Sequence, residues 1–160
     1  MKPLLIFGAF GIGIVAGLRA FTAPAMLCWA THFGWVNLSD SRLAFLGKPV
    51  FVGIVSLLAV GELIADKLPM TPNRTAAGPL LGRIASGAFS AFAMATAAQQ
   101  AVIIASFVGV AGALAGAFGG YYARHFLVKR AGLPDFPIAM TEDLIAVGGA
   151  FCLVRQMAWQ

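Results

Sequence analysis

Charge is what this chain has least of. Only 11% of its 160 residues are Asp, Glu, Lys or Arg, against about 25% in an average soluble domain. With 60% hydrophobic residues and a mean hydropathy of +0.88, too few polar side chains remain to cover a water-facing surface. The solvent that fits such a surface is lipid. Histidine and cysteine are equally scarce, at two each. His32 and His125 stand alone at the ends of apolar runs. Cys28 and Cys152 lie far apart inside such runs without a CxxC spacing, and read as small buried hydrophobes. No metal site and no cofactor is implied. The phosphate-binding GxxxxGK[ST], the zinc-binding HExxH and the nucleophile-bearing GxSxG are all missing, so no catalytic residues are assigned. The formal charge of +5 comes without a basic stripe interleaved with aromatics, and points to membrane orientation rather than nucleic acid.

Long apolar runs, by contrast, fill the chain. A helix needs about 20 mostly apolar residues to cross the hydrocarbon. Five runs approach that length: Pro3–Trp29, Pro49–Ala65, Leu80–Ala98, Ala101–Phe126 and Ile138–Met157. Lipid cannot satisfy a free backbone, so the expected fold is all-α, a polytopic membrane bundle of about five transmembrane helices in a single domain over residues 1–160. Gln99-Gln100 is the polar break that divides the third span from the fourth. Lys2 and the small residues Ala23-Pro24-Ala25 resemble a signal peptide, but Arg19 and the later spans favour an uncleaved first span. Lys and Arg in the flanks favour a cytoplasmic N-terminus and an external C-terminus. Trp29, Trp35, Tyr121, Tyr122 and Trp159 lie near span ends, where interfacial anchors belong.

Small residues recur every four positions: Ala9, Gly13, Gly17 in the first span, Ser86 and Ser90 in the third, Gly112, Gly116, Gly120 in the fourth. Such faces let helices approach closely in lipid. They predict tight helix contact, with the partner either in the same chain or in a second copy. GIVAGLRAF and GALAGAFGG match weakly, and GELIAD and EDLIAV follow them. This allows a weak inverted repeat of spans 1–2 against 4–5.

The scarce charge is gathered in one place. Gly61–Arg83 holds two of the six acidic residues and three of the eleven basic ones. Glu62 and Asp66, four residues apart, share a helix face. Pro69 and Pro72 end that helix. Arg74 lies in the loop and Arg83 enters the third span. Asp143 and Glu142 open the fifth span, with Thr141 as a candidate cap. A lone charge in hydrocarbon costs roughly 3 kcal/mol or more, so these groups should pair. Arg19 is the other anomaly: it sits inside the first span, with Thr22 and Pro24 just after it. A break there would bring Arg19 toward Glu62. The expected substrate- or ion-binding set is Arg19, Glu62, Asp66, Arg74, Arg83 and Asp143, with the acids binding a cation or proton.

GLRAFTAPAM at Gly17–Met26, GELIADKLPMTPNRTAAGPLLGRIASGA at Gly61–Ala88 and GAFGGYYARHFLVKRAGLPDFPIAMTEDLIAVGGA at Gly116–Ala150 together resemble a family of small bacterial integral membrane proteins catalogued as a domain of unknown function, of the DUF4126 type. The resemblance covers nearly the whole chain and implies a bacterial inner-membrane location. It carries over no activity. Three functions compete. The first is a small transporter or channel for an ion or small solute, working as a homo-oligomer. The second is a structural or assembly protein packing through its small-residue faces. The weakest is a lipid-headgroup enzyme using His125, Asp66 and Asp143 as acid–base groups.

Overall fold

The computed structural model describes residues 2–66 and 76–157. Among them the chain forms six α-helices and one short 3₁₀ turn: α1 Pro3–Leu18, α2 Thr22–His32, the turn Ala44–Gly47, α3 Pro49–Ala65, α4 Ala77–Ala97, α5 Val102–Lys129 and α6 Asp135–Met157. Pro3 and Pro49 stand in the first helical turn, where the missing N–H costs nothing. The polar break at Gln99-Gln100 is a tight turn. Gln99 takes a left-handed φ of 52°, and the Gln100 N–H closes back on the Ala95 carbonyl at 3.0 Å, which caps α4 and starts α5. Gly34, at φ 71°, closes α2 in the same manner through the Trp35 N–H and the Ala30 carbonyl.

α4, α5 and α6 are each long and apolar enough to cross a bilayer; α1 and α3 are shorter apolar helices. Large side chains on the outside are apolar, among them Phe7, Val50, Leu57, Phe107 and Leu144. This is the surface of a helical membrane protein.

The centre of the bundle is a seam of small residues. α1 and α5 run parallel, with Gly13 against Gly109 and Gly112, and Gly17 against Ala113 and Gly116. α4 closes the seam from the other side, with Gly87 against Gly109 and Ala113. The periodic small faces therefore meet within one chain. A Cβ on Gly116 would collide with the Ile14 backbone carbonyl, and one on Gly112 with that of Phe10. Close backbone approach raises dispersion contact, which is what holds helices together in lipid.

The first span differs most from its expected form. It is two helices. α1 runs antiparallel to α6: Gly11 faces Leu153 and Val15 faces Gly149. α2 runs antiparallel to α3: Phe21 meets Glu62 and Trp29 meets Ser56. By the end of α2 the chain has returned to the level of Arg155, whose guanidinium lies 5.0 Å over the Trp35 ring. α1 and α2 thus form a hairpin with its tip at Arg19–Phe21. At 11 residues, α2 spans about 16 Å, roughly half the hydrocarbon.

The reversal has two consequences. The start of α1 and the end of α6 lie at one end of the bundle, with the Lys2 amide donating to Gln100 Oε1 at 2.6 Å, where five spans would have put them at opposite ends. And since α1 runs parallel to α5 while α3 runs opposite to α6, spans 1–2 and 4–5 are not related by inversion. Cys28 is buried as expected, whereas Cys152 faces outward.

Candidate functional site

A proline marks the hairpin tip. Pro24 has no N–H, so the carbonyl four residues back, Ala20, loses its helical partner. Arg19 is extended, at φ −142° and ψ 109°. The chain leaves α1 there and re-enters a helix at Thr22, with Pro24 in the first turn of α2. A helix ending and another beginning inside the protein leave orphan carbonyls and orphan amides. Each set has a partner of the right sign. Arg83 of α4 donates through Nη1 to the Gly17 carbonyl at 2.7 Å and to that of Leu18. The Ser86 hydroxyl donates to the Ala20 carbonyl left unpaired by Pro24. The Glu62 carboxylate of α3 accepts the N–H of Ala20 at 2.7 Å and that of Phe21 at 2.8 Å. The cation sits at the carbonyl end of α1 and the anion at the amide end of α2, as both helix dipoles favour.

Arg19 occupies the turn between them and is 0% exposed. Its Nε donates to Asp143 Oδ1 at 2.7 Å, its Nη2 lies 2.5 Å from the same oxygen, and its Nη1 pairs with Asp66 Oδ2. Arg83 Nη2 stands 3.7 Å from Asp66 Oδ2 and 3.8 Å from Glu62 Oε1. Three helices, α3, α4 and α6, thus send charged side chains to one tip. Two guanidiniums face three carboxylates there. In low dielectric such pairing is what makes each group tolerable, and removing one partner leaves the other uncompensated.

Two cavities flank the tip. One, of about 570 Å³, lies between α3 and α4. Glu62, Asp66, Arg83 and Ser86 are its polar lining, and Phe21, Pro24, Val55, Leu58 and Phe89 its apolar walls. The other, of about 500 Å³, lies between α5 and α6. It is almost wholly apolar, with Leu18 at the tip side and Arg124 and Glu142 among its lining.

Of the six residues expected at the site, five converge: Arg19, Glu62, Asp66, Arg83 and Asp143. Arg74 lies outside the described residues, as do Lys67, Pro69 and Pro72. Arg124 is drawn elsewhere, forming a bidentate pair with Asp135 at 2.8 and 2.6 Å. His125 is exposed and stacks against Tyr121, and His32 Nδ1 bonds the Gly47 carbonyl. α6 begins at Asp135, so Thr141 lies inside the helix and returns its hydroxyl to the Pro137 carbonyl instead of capping. Glu142 and Asp143 stand about two turns into the helix in place of its first turn. Ser86 is the participant the sequence pattern hid, since its small size reads as a packing residue. The clue to it is the spacing of Pro24 from Ala20, which leaves a carbonyl in need of a donor. Thr22 Oγ1 and Ser90 Oγ are buried with no hydrogen-bond partner among the described residues.

No curated protein and no solved structure matches this chain at a significant level. Residues 6–156 match the family model of a domain of unknown function, DUF4126, and over that extent, nearly the whole of a chain built as a helical membrane bundle with a charged hairpin tip, the protein belongs to that family.

Proposed function

We propose that the protein is a small bacterial inner-membrane transporter or channel for an ion or small solute, with its site at the charged ends of the helices. One observation carries this reading: a fully buried arginine at a helix reversal, held by carboxylates of two other helices, beside a cavity that shares those groups. Ionisable residues inside a membrane are costly and mark substrate and ion pathways. Interrupted helices whose ends face polar ligands are a recurring device in transporters. The working unit is a homo-oligomer, because one bundle of this size encloses little volume for a pathway.

The charged end is the cytoplasmic one. Arg83, Arg124, Lys129 and Arg130 belong to it, and in sequence Lys67 and Arg74 lie between α3 and α4. Lys2, Arg42, Lys48 and Arg155 belong to the other. The excess of positive charge orients the chain, and the start of α1 and the end of α6 then face outward, in place of the cytoplasmic N-terminus read from five spans.

The assembly reading is weaker, because the small-residue faces it requires as a docking surface are used inside the chain. Flux of monovalent cations, anions and protons into proteoliposomes is the test. Wild type should conduct one of them, and Glu62→Gln and Asp143→Asn should lose at least tenfold of that flux while keeping the wild-type elution volume. Unchanged flux in both variants removes the pathway. For orientation, Lys2→Cys in a Cys152→Ser background should react in whole cells with a membrane-impermeant thiol reagent, and Arg130→Cys should not.

A further inference from the structure

We infer that the cavity between α3 and α4 is a binding site for amphiphilic organic cations, molecules with one positive charge on an apolar body. The inference rests on the transport reading above and names the substrate class of the same site.

The cavity exists because α3 and α4, consecutive in the chain, barely touch. α3 packs on α2 and on the 3₁₀ turn, and is joined to the remainder of the tip through Glu62 and Asp66. The space left is about 570 Å³, well inside the range of roughly 300–1,000 Å³ typical of small-molecule sites. Its walls are apolar and include two aromatic rings, Phe21 and Phe89. Ring faces attract cations through their quadrupole, most strongly where water is excluded. Three charged side chains line it: the carboxylates of Glu62 and Asp66 and the guanidinium of Arg83. The carboxylates keep more exposure, 11% and 13%, than Arg83 at 4%. Arg83 directs its Nη1 to the α1 carbonyls, and with two carboxylates against one guanidinium the lining carries a net negative charge. An inorganic cation would find oxygen ligands on one side only and hydrocarbon on the others. An apolar anion would meet the carboxylates. A cation with an apolar body satisfies both parts of the lining.

Tetraphenylphosphonium and tetraphenylborate have nearly the same size and shape and opposite charge, and they separate charge recognition from partition into apolar space. Binding of each to the purified full-length protein is measured by equilibrium dialysis. Wild type should bind tetraphenylphosphonium saturably, one per chain, at least tenfold more tightly than tetraphenylborate. Leu58→Trp, which fills the cavity without touching the charges, should abolish the saturable component. Glu62→Gln, which keeps an acceptor for the tip amides, should weaken it at least fivefold. Equal binding of the two ions, preference for the borate, or saturable phosphonium binding unaffected by Leu58→Trp and Glu62→Gln would each overturn the inference. The two readings fail separately: selective phosphonium binding without flux of any solute would leave the site and remove transport, whereas flux of an inorganic ion with no selective phosphonium binding would leave transport and remove this substrate class.

Discussion

α1 is held in two different ways along its length. From Ala9 to Gly17 it lies against α5 and α4, with Gly13 and Gly17 set directly against the α5 backbone. At Arg19 it ends in a set of five charged groups drawn from three other helices and the tip itself. The seam works by shape: many weak contacts, each of short range, available only because Gly and Ala let backbones meet. The tip works by charge: few contacts, each strong in low dielectric and each costly if its partner is lost. Dispersion contacts have no alternative arrangement to offer, since lipid competes poorly with a matched surface. Ion pairs do, because a bound solute, a proton or water can replace a partner. The difference teaches where rigidity and where response lie in this bundle.

The sharpest way to break that contrast is at the seam. Gly116→Leu would drive side-chain carbon into the Ile14 backbone, and backbone cannot move aside as a flexible side chain can. The expected outcome is loss of the folded protein, seen as aggregation on gel filtration in mild detergent. At the tip, Arg19→Ala should leave a folded but weakened bundle, less stable by about 3–5 kcal/mol because Asp66 and Asp143 keep their charge without the partner. A detergent-denaturation midpoint measures the loss. Adding Asp66→Asn and Asp143→Asn to Arg19→Ala should restore most of it, since the carboxylates that faced Arg19 then carry no charge. No restoration would mean the tip acts through shape as well. Glu62→Gln should cost less, about 1–2 kcal/mol, as the amide oxygen keeps one of the two tip N–H groups and loses the other. Least affected should be Gln100→Ala, whose contact with the Lys2 amide is solvent-exposed. A change below about 0.5 kcal/mol is expected in the same titration.

Much of the fold is legible in the residues. The apolar runs at Pro49–Ala65, Leu80–Ala98 and Ala101–Phe126 coincide with α3, α4 and α5 to within a few positions, because a run of apolar residues in lipid has no option but a helix. Gln99-Gln100 marks a turn because two amide side chains in a row are dear to bury. The gathering of Glu62, Asp66, Arg83, Arg19 and Asp143 is legible too, through the cost of leaving any of them alone. The first span is where the reading falls short. Hydropathy counts how many apolar residues stand in a row and says nothing of direction. Ala16, Leu18, Phe21 and Ala23 continue the apolar run through the very residues where the chain reverses. Pro24 signals a break, yet a proline can bend a membrane helix without turning it back. The number of passages, the end at which the termini lie and the relation between spans 1–2 and 4–5 all depend on that one angle. The small-residue faces likewise predict contact and leave open whose.

What the sequence by itself determined is the solvent and the inventory. Its hydropathy selects lipid, lipid compels helices, and the scarcity of charge compels the few ionic groups to find each other. Only the tertiary structure decided how they meet. Arg19, Asp66 and Asp143 are separated by long stretches of chain, and at physiological salt the attraction of exposed charges is screened beyond about 8 Å. Whether it acts at all depends on the hairpin that brings the end of α1 to the end of α3 and the start of α6. That hairpin is selected by the sum of seam packing, proline geometry and ion pairing, a balance that exists in three dimensions and has no counterpart in the order of residues.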